Sequence, residues 1–538
     1  MTVLRSRVTE DATFRARRES MLALVDEIRT LEAGVLANAE RARGKFDKRG
    51  QLMPRERVEA LLDPGAPFVE LSTLAGYKMH DDDGERGLAG GGNIVGVGFV
   101  RGVRVLVNAS EAAIKGGSVA PMGLRKSLRA QEIALRERLP VVSLIESGGA
   151  NLLYQSEIFV DGGRVFANMA RLSAAGIPQV TVVHGSSTAG GAYIPGLSDY
   201  VIAVRDRAKV FLAGPPLVKA ALGEDADEEE LGGALMHATV AGTAEYLAED
   251  DAHALALARD VVAALDWNRS LGHEELAAPE EPRFSPDQLC GVVPTDAREP
   301  YDVLEVIARI VDGSRFLPFK PGFGAETVCG HARIDGRSVG ILGNNGPIFP
   351  QGSVKAAQFI QLCEQAGLPL LFLMNTTGYM VGREAEQAGA VKHGAKMIQA
   401  VATATVPKIT IVLGGAYGAG NYGMCGRAYD PDFLFAWPTA KVAVMGGEQA
   451  ATVMKIITKA KFARKGLPLV EEALDAMAAE LRDTLDAQTT ALYASARVWD
   501  DGIIDPRDTR RVVSFCLATC SEARRRTLRP NTFGVARG

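Results

Sequence analysis

The chain has 538 residues, enough for three or four domains of roughly 150 residues or for two large ones. Apolar residues at 47% and charged residues at 23% are ordinary for a globular protein and exclude a mainly disordered chain. The net charge of −5, without a basic block, argues against a nucleic-acid surface, and no apolar run is long enough to span a membrane.

Glycine is in excess: 58 residues, against an average near 7%. With no Gly-X-Y period, the excess implies many sites of close backbone approach or positive φ. Met1 to Arg18 mixes arginines with Glu10 and Asp11 and has no apolar stretch of the kind found in a secretory signal. The six cysteines, Cys290, Cys329, Cys363, Cys425, Cys516 and Cys520, form no CxxC pair. They read as reduced thiols of a cytoplasmic protein.

In chain order, Met21, Leu24, Val25, Ile28, Leu31 and Val35 predict a helix over 17–43, stopped by Gly44. A short helix follows over Arg55 to Leu62. Strands follow over Asn93 to Phe99 and Val103 to Asn108, turning near Arg101-Gly102. From Pro140 onward, short apolar runs alternate with helical patterns, the signature of an α/β core with a buried sheet.

The second half repeats the first. Leu139-Pro140-Val141-Val142 resembles Leu368-Pro369-Leu370-Leu371, and Ile177-Pro178-Gln179-Val180 resembles Val406-Pro407-Lys408-Ile409, both at a difference of 229. Gly149 and Gly378, Gly191 and Gly420, and Lys126 and Lys355 fall at the same difference. Upstream, Val105 to Ser110 matches Gly340 to Asn345 at a slightly larger one. A single offset over about 70 residues indicates duplication. The proline- and acid-rich stretch before Arg298 is the expected linker.

Glycines cluster after equivalent strands. Ser147-Gly148-Gly149 and Thr188-Ala189-Gly190-Gly191 occur in the first half, Thr376-Thr377-Gly378-Tyr379 and Gly414 to Gly423 in the second. Small residues between a strand and a helix expose N–H groups at the helix start, where two aimed at one oxygen stabilise a developing enolate. Tight strand-to-helix packing would use the same residues, but two pairs in register across a duplication favour function.

These stretches, with Phe211-Leu212-Ala213-Gly214-Pro215-Pro216, Met445-Gly446-Gly447-Glu448 and Asp500-Asp501-Gly502-Ile503-Ile504-Asp505-Pro506, resemble the carboxyltransferase (beta) subunit of biotin-dependent acyl-CoA carboxylases. The resemblance implies tandem duplicated crotonase-like domains of the ClpP/crotonase superfamily, with an N-terminal helical segment. The expected division is a helical segment over 1–65, an N-terminal domain over 66–270, a linker over 271–298 and a C-terminal domain over 299–538.

It further implies that carboxybiotin, carried by a biotin carboxylase/biotin carboxyl carrier partner, enters where an N-terminal domain of one subunit of a homohexamer meets a C-terminal domain of another. Released CO2 is attacked by an acyl-CoA enolate, the biotin itself having taken the proton. The amides of Gly190 and Gly191 would face the thioester oxygen, and those of Ala419 and Gly420 the biotin oxygen. Gly378, Tyr379 and Gly418 fall on the biotin side. Lys115, Gly116, Gly117, Gly148, Gly149, Gly162, Asn344 and Asn345 fall on the acyl-CoA side, with Lys115 either meeting a phosphate or solvated in its loop. No metal is expected in this chain.

Asn421 to Tyr429 resembles the methylcrotonyl-CoA and geranyl-CoA branch more than the propionyl-CoA branch. Members handling methylcrotonyl-CoA tend to carry an aromatic where this chain has Gly162, and its loss would admit a longer acyl chain. A propionyl- or acetyl-CoA carboxylase, a biotin-dependent decarboxylase and a non-catalytic assembly subunit are the alternatives.

Three motifs point elsewhere and are set aside. Val453-Met454-Lys455-Ile456 looks like a biotinylation box but lies in a helical pattern. Gly336-Arg337-Ser338-Val339-Gly340 looks like a nucleophile elbow but spans a hairpin turn. Gly90-Gly91-Gly92 leads into a strand rather than a helix. His237 reads as a packed or capping histidine, or one lining the site.

Overall fold

The structure is a computed structural model describing residues 1–296, 299–466 and 468–536. Residues 297 and 298, the end of the expected linker, lie outside the described residues. The chain forms two compact units. The first comprises Arg29–Glu274, Ala496–Val498 and Ala518–Gly538; the second comprises Met1–Ile28, Glu275–Ser495 and Trp499–Leu517.

After β1 (Thr2–Val3) comes one long helix, Ala12–Glu40. Gly44 does not stop it: the break falls at residues 41 and 42, and Gly44 lies inside a further short helix, Arg43–Lys48. The first unit then builds a sheet from β2 (Val69–Leu71), β3 (Asn93–Val100), β4 (Val103–Ser110), β5 (Val141–Ser147), β6 (Gln179–Thr188), β7 (Tyr200–Val204), β8 (Lys209–Phe211) and β9 (Tyr246–Ala248). Its order is β2-β3-β4-β5-β6-β7-β9, with β8 on the end of β6. The second unit has β10 (Arg315–Pro318), β11 (Thr327–Ile334), β12 (Arg337–Asn344), β13 (Leu370–Thr376), β14 (Lys408–Tyr417), β15 (Phe433–Ala436) and β16 (Lys441–Ala443). Its order is β1-β10-β11-β12-β13-β14-β15, with β16 on the end of β14.

The two sheets follow one plan. An antiparallel hairpin leads into a parallel run in each. Both hairpins turn on two left-handed residues, Arg101-Gly102 and Asp335-Gly336, as the right-handed strand twist requires. The second turn disposes of the nucleophile-elbow pattern, because Ser338 lies on β12. The register shifts between Ile145 and Ser147 on β5 and between Met374 and Thr376 on β13, again 229 apart.

Upstream, the ladder sharpens the repeat. Leu106 lies opposite Val141 and Gly340 opposite Leu370, so Leu106, not Val105, is the counterpart of Gly340. The parallel strands are apolar on both faces. Phe372 and Met374 pack against the helices Pro350–Ala366 and Ala390–Thr403, while Leu371 and Leu373 on the opposite face are equally buried.

Part of the glycine excess has a packing explanation. A Cβ at Gly96 would lie 2.4 Å from Phe68, and one at Gly330 would lie equally close to Phe316. Phe68, just before β2, thus lies over a glycine of β3, and Phe316 on β10 lies over a glycine of β11. Gly91 meets Gly123, and Gly324 meets Gly352, at distances that leave no room for a methyl group. At the same contacts, buried Lys126 donates to the carbonyls of Gly90 and Asn93, and buried Lys355 to those of Lys320 and Gly324. Burial pushes Lys126 down to about 8.

The proline-rich stretch is not all loop. Leu289–Val292 is helical and fully buried, with Gly291 against the ring of Phe14. Gly447–Lys465, which carries the biotinylation-box look-alike, is one helix in which Lys455 pairs with Asp475.

Candidate active site

In the first unit, β5 ends at Ser147 and the chain turns through Gly148 and Gly149, whose φ is +91°. The Ser147 hydroxyl accepts from the Gly149 N–H at 3.1 Å and donates to the Gly117 carbonyl at 2.8 Å. The Gly148 N–H donates to the Gly116 carbonyl, and the Val119 N–H to that of Gly149. The loop carrying Gly116 and Gly117 and the turn at Gly148-Gly149 are therefore one backbone-linked assembly.

Beside it, β6 runs into Ala189, which is left-handed at φ +53°, and then into the short turn Ala189–Ala192. Ala189 begins that 3-10 turn and Gly190 follows it, so the Gly190 N–H has no acceptor one helical turn behind it. Gly190 is exposed, and the Phe166 ring lies 3.9 Å from where its Cβ would be.

The second unit repeats this arrangement. The Thr376 hydroxyl accepts from the Gly378 N–H at 3.2 Å, and the Ile348 N–H donates to the Gly378 carbonyl. Gly378 has φ +117°. β14 leads into Gly418 at φ +52°, then Ala419 and Gly420 at the start of the helix Gly418–Gly423. Ala419 is exposed. A Cβ on Gly420 would lie 2.7 Å from the Gly378 Cα. The conformation that glycine takes freely at 418 is taken by alanine at 189, a strained position of the kind that concentrates at functional sites. Each unit thus places N–H groups at a helix or 3-10 start beside a left-handed glycine, an arrangement suited to an oxygen gaining negative charge.

Tyr379 packs into the space left by glycines at 394 and 423, and its hydroxyl donates to the Gly394 carbonyl. Burial raises its pKa. Gly162 lies on the helix Gln155–Ala174, one turn before Phe166; a Cβ there would touch only Leu124, at 4.0 Å.

Other expected residues are committed elsewhere. Asn344 is fully buried, and its oxygen accepts from the Asn375 N–H. The Asn345 oxygen accepts from the Val303 N–H. Lys115 faces a carboxylate, pairing with Asp81 at 2.6 Å. His237 bonds the Val210 carbonyl at 2.7 Å, the packed alternative. The Phe166 ring beside Gly190 was not singled out from the sequence, although its four-residue spacing from Gly162 could have flagged it. Among the described residues, no group of three or more His, Cys, Asp or Glu side chains is placed to hold a metal.

Residues 45–535 match the carboxyl transferase domain. The chain belongs to this family. It is the carboxyltransferase component of a biotin-dependent acyl-CoA carboxylase. The crystal structure of the Pseudomonas aeruginosa geranyl-CoA carboxylase beta subunit is similar over 100% of both chains, at 57% identity and a TM-score of 0.94. The Mycobacterium tuberculosis biotin-dependent 3-methylcrotonyl-coenzyme A carboxylase beta1 subunit is 48% identical, over 92% of this chain and 93% of its own. The probable mitochondrial methylcrotonoyl-CoA carboxylase beta chain of Drosophila melanogaster is 47% identical, over 96% and 92%. The carboxyltransferase family and the α/β crotonase-like fold read from the sequence are borne out.

Proposed function

We propose that this subunit carboxylates a branched 2-enoyl-CoA, 3-methylcrotonyl-CoA or geranyl-CoA, at its γ-methyl carbon. The N–H groups of Gly190 and Gly191 hold the thioester oxygen as it becomes an enolate. Those of Ala419 and Gly420 hold the ureido oxygen of biotin. Carboxybiotin, delivered by a biotin carboxylase/carboxyl carrier partner, supplies the CO2. The close contact of Gly378 with Gly420 fixes the helix start that carries exposed Ala419, which supports placing the ureido oxygen there. The observation carrying the reading is the same pair of N–H turns, at the same repeat positions, in both units: one reaction, two oxyanions.

Space at Gly162 favours the longer chain, because a Cβ there would meet only Leu124, at 4.0 Å. Self-association, expected to give a homohexamer, is supported by exposed apolar side chains such as Leu153 and Phe159. Six buried thiols fit a reducing compartment, and the cytoplasm is the inferred location.

The test is the complex with its biotinylated partner, assayed with ATP, bicarbonate and a panel of acyl-CoAs. Incorporation into both branched enoyl-CoAs is expected; incorporation only into short saturated ones would overturn the reading. Gly162→Phe is expected to lower the geranyl-CoA to 3-methylcrotonyl-CoA activity ratio by about tenfold or more, since a ring would fill space worth several methylenes. An unmoved ratio would exclude Gly162 as a determinant of chain length.

A further inference from the structure

The loop carrying Lys115 is strained. Lys115, Gly116 and Gly117 are consecutive left-handed residues at φ +49°, +62° and +68°. The glycines take this conformation freely, but Lys115 does not, and it persists there only where its surroundings over-determine it. Behind it, Gly116 and Gly117 are tied to the turn at Gly148-Gly149, as described above. In front, its only charged side chain meets Asp81, which comes from a separate arm between β2 and β3.

That arm is itself built. The Asp82 carboxylate accepts from the N–H groups of Lys78 and Leu88, closing the arm into a loop. Asp83 accepts from those of Glu85 and Arg86. Asp81 alone reaches outward, and one carboxylate gathers three donors from two other loops: Lys115 Nζ at 2.6 Å, the Tyr154 hydroxyl at 2.8 Å and Asn151 Nδ2 at 3.3 Å. His80 reinforces the contact, pairing with Glu157 at 3.2 Å and lying edge-on to Tyr154. The hydrogen bonds from Lys115 and then Tyr154 hold the Asp81 carboxyl below its ordinary range, and the Tyr154 phenol is raised in return.

We propose that Asp81 is a positioning residue for acyl-CoA: it fixes the Lys115-Gly116-Gly117 loop and the Asn151–Tyr154 turn against each other, on either side of Gly148-Gly149. This rests on the reading of those loops as the acyl-CoA side. Asp81 is about one-third exposed, so its loss perturbs this arrangement far more than the fold.

The experiment uses the assembled holoenzyme with whichever acyl-CoA the wild type carboxylates. Asp81→Asn is expected to raise KM for the acyl-CoA about tenfold, with kcat within about twofold and Tm within about 2 °C. Asp81→Glu, which keeps the charge, is expected to recover part of the loss. A KM that falls would mean that Asp81 only competes for Lys115, and would overturn the proposal; so would a kcat loss at constant KM. Lys115→Ala separates the two levels. If it raises KM while Asp81→Asn does not, the positioning role fails and the acyl-CoA reading stands. If neither variant moves KM, both fail.

Discussion

Replacing Gly420 by alanine is expected to lower kcat by about 10²- to 10³-fold, the loss seen when an oxyanion donor is removed. The new Cβ would lie 2.7 Å from the Gly378 Cα and 3.0 Å from Thr376 Cγ2. Gly378 cannot retreat, because its carbonyl is held by Ile348 and its N–H by Thr376. The helix start must move instead, carrying the Ala419 and Gly420 amides with it. The repeat supplies an internal control. At the equivalent Gly191, a Cβ would meet only the Ser187 hydroxyl, at 3.4 Å, and at Gly190 only the Phe166 ring, at 3.9 Å. Alanine at either is expected to cost less than about tenfold, since nothing pushes the amide off its line. Single-turnover carboxyl transfer by the three variants, beside their melting curves, decides it. Equal losses at 191 and 420 would refute the steric argument.

What could be read from the sequence was what repeats. The runs at Leu139 and Leu368 carry little information singly, but a shared spacing exposed the duplication and both pairs of glycine turns. Register was harder. Strands buried on both faces have no alternation to fix it, so Val105 was paired with Gly340 where the ladder pairs Leu106. Gly44 was read as a helix stop because glycine usually costs a helix stability, yet a new turn begins at Arg43 and includes it. The packing glycines were invisible for a different reason: Gly96 is explained only by Phe68, and Gly324 only by Gly352, contacts that require the fold. Asp81 lies in an acidic run that reads as solvated surface. Its role depends on loops more than thirty residues further along the chain, and no local pattern records that.

The second large effect is structural and lies at Arg57. Its guanidinium is almost wholly buried and joins two carboxylates, Glu146 at 2.7 Å and Asp251 at 3.2 Å. Asp251 also accepts from the Leu52 N–H and pairs with His184 at 2.8 Å. Glu146 immediately precedes the Ser147-Gly148-Gly149 turn, and a Cβ at Gly185 would strike it, so this network backs the candidate site. Arg57→Met keeps the bulk but leaves Asp251 without its cation and Glu146 with the exposed Arg49 at 3.9 Å; a loss of about 3–5 kcal/mol and a fall in Tm of roughly 10 °C are expected at pH 8. Arg57→Lys is not expected to restore it, because one ammonium cannot span both acids as the planar fork does.

The contribution of the Arg57 network to the pH dependence follows from two groups. Burial pushes His184 down to about 4, so between about 6.5 and 4 the unfolded chain binds a proton that the folded chain refuses. The His184 contribution to stability therefore falls as pH drops through that window, against the opposite contribution of buried Asp500, which burial raises to about 7. Burial tends to raise Asp251, but the His184 hydrogen bond and the Arg57 charge outweigh it and hold the carboxyl below its ordinary value. Its contribution is present above the unfolded carboxyl range and is lost as pH falls through the lowered folded value. Removing Arg57 takes away a charge that opposes protonation of His184, so the imidazole accepts a proton at higher pH beside the uncompensated Asp251. Between pH 6.5 and 5 the Arg57→Met protein is thus expected to lose stability less steeply than the wild type, while starting from a lower value. Denaturant melts at pH 8, 6.5 and 5 measure both quantities. Parallel curves would show that Arg57 does not set the His184 titration, and a Tm within 2 °C of wild type at pH 8 would show that the buried carboxylates do not depend on it.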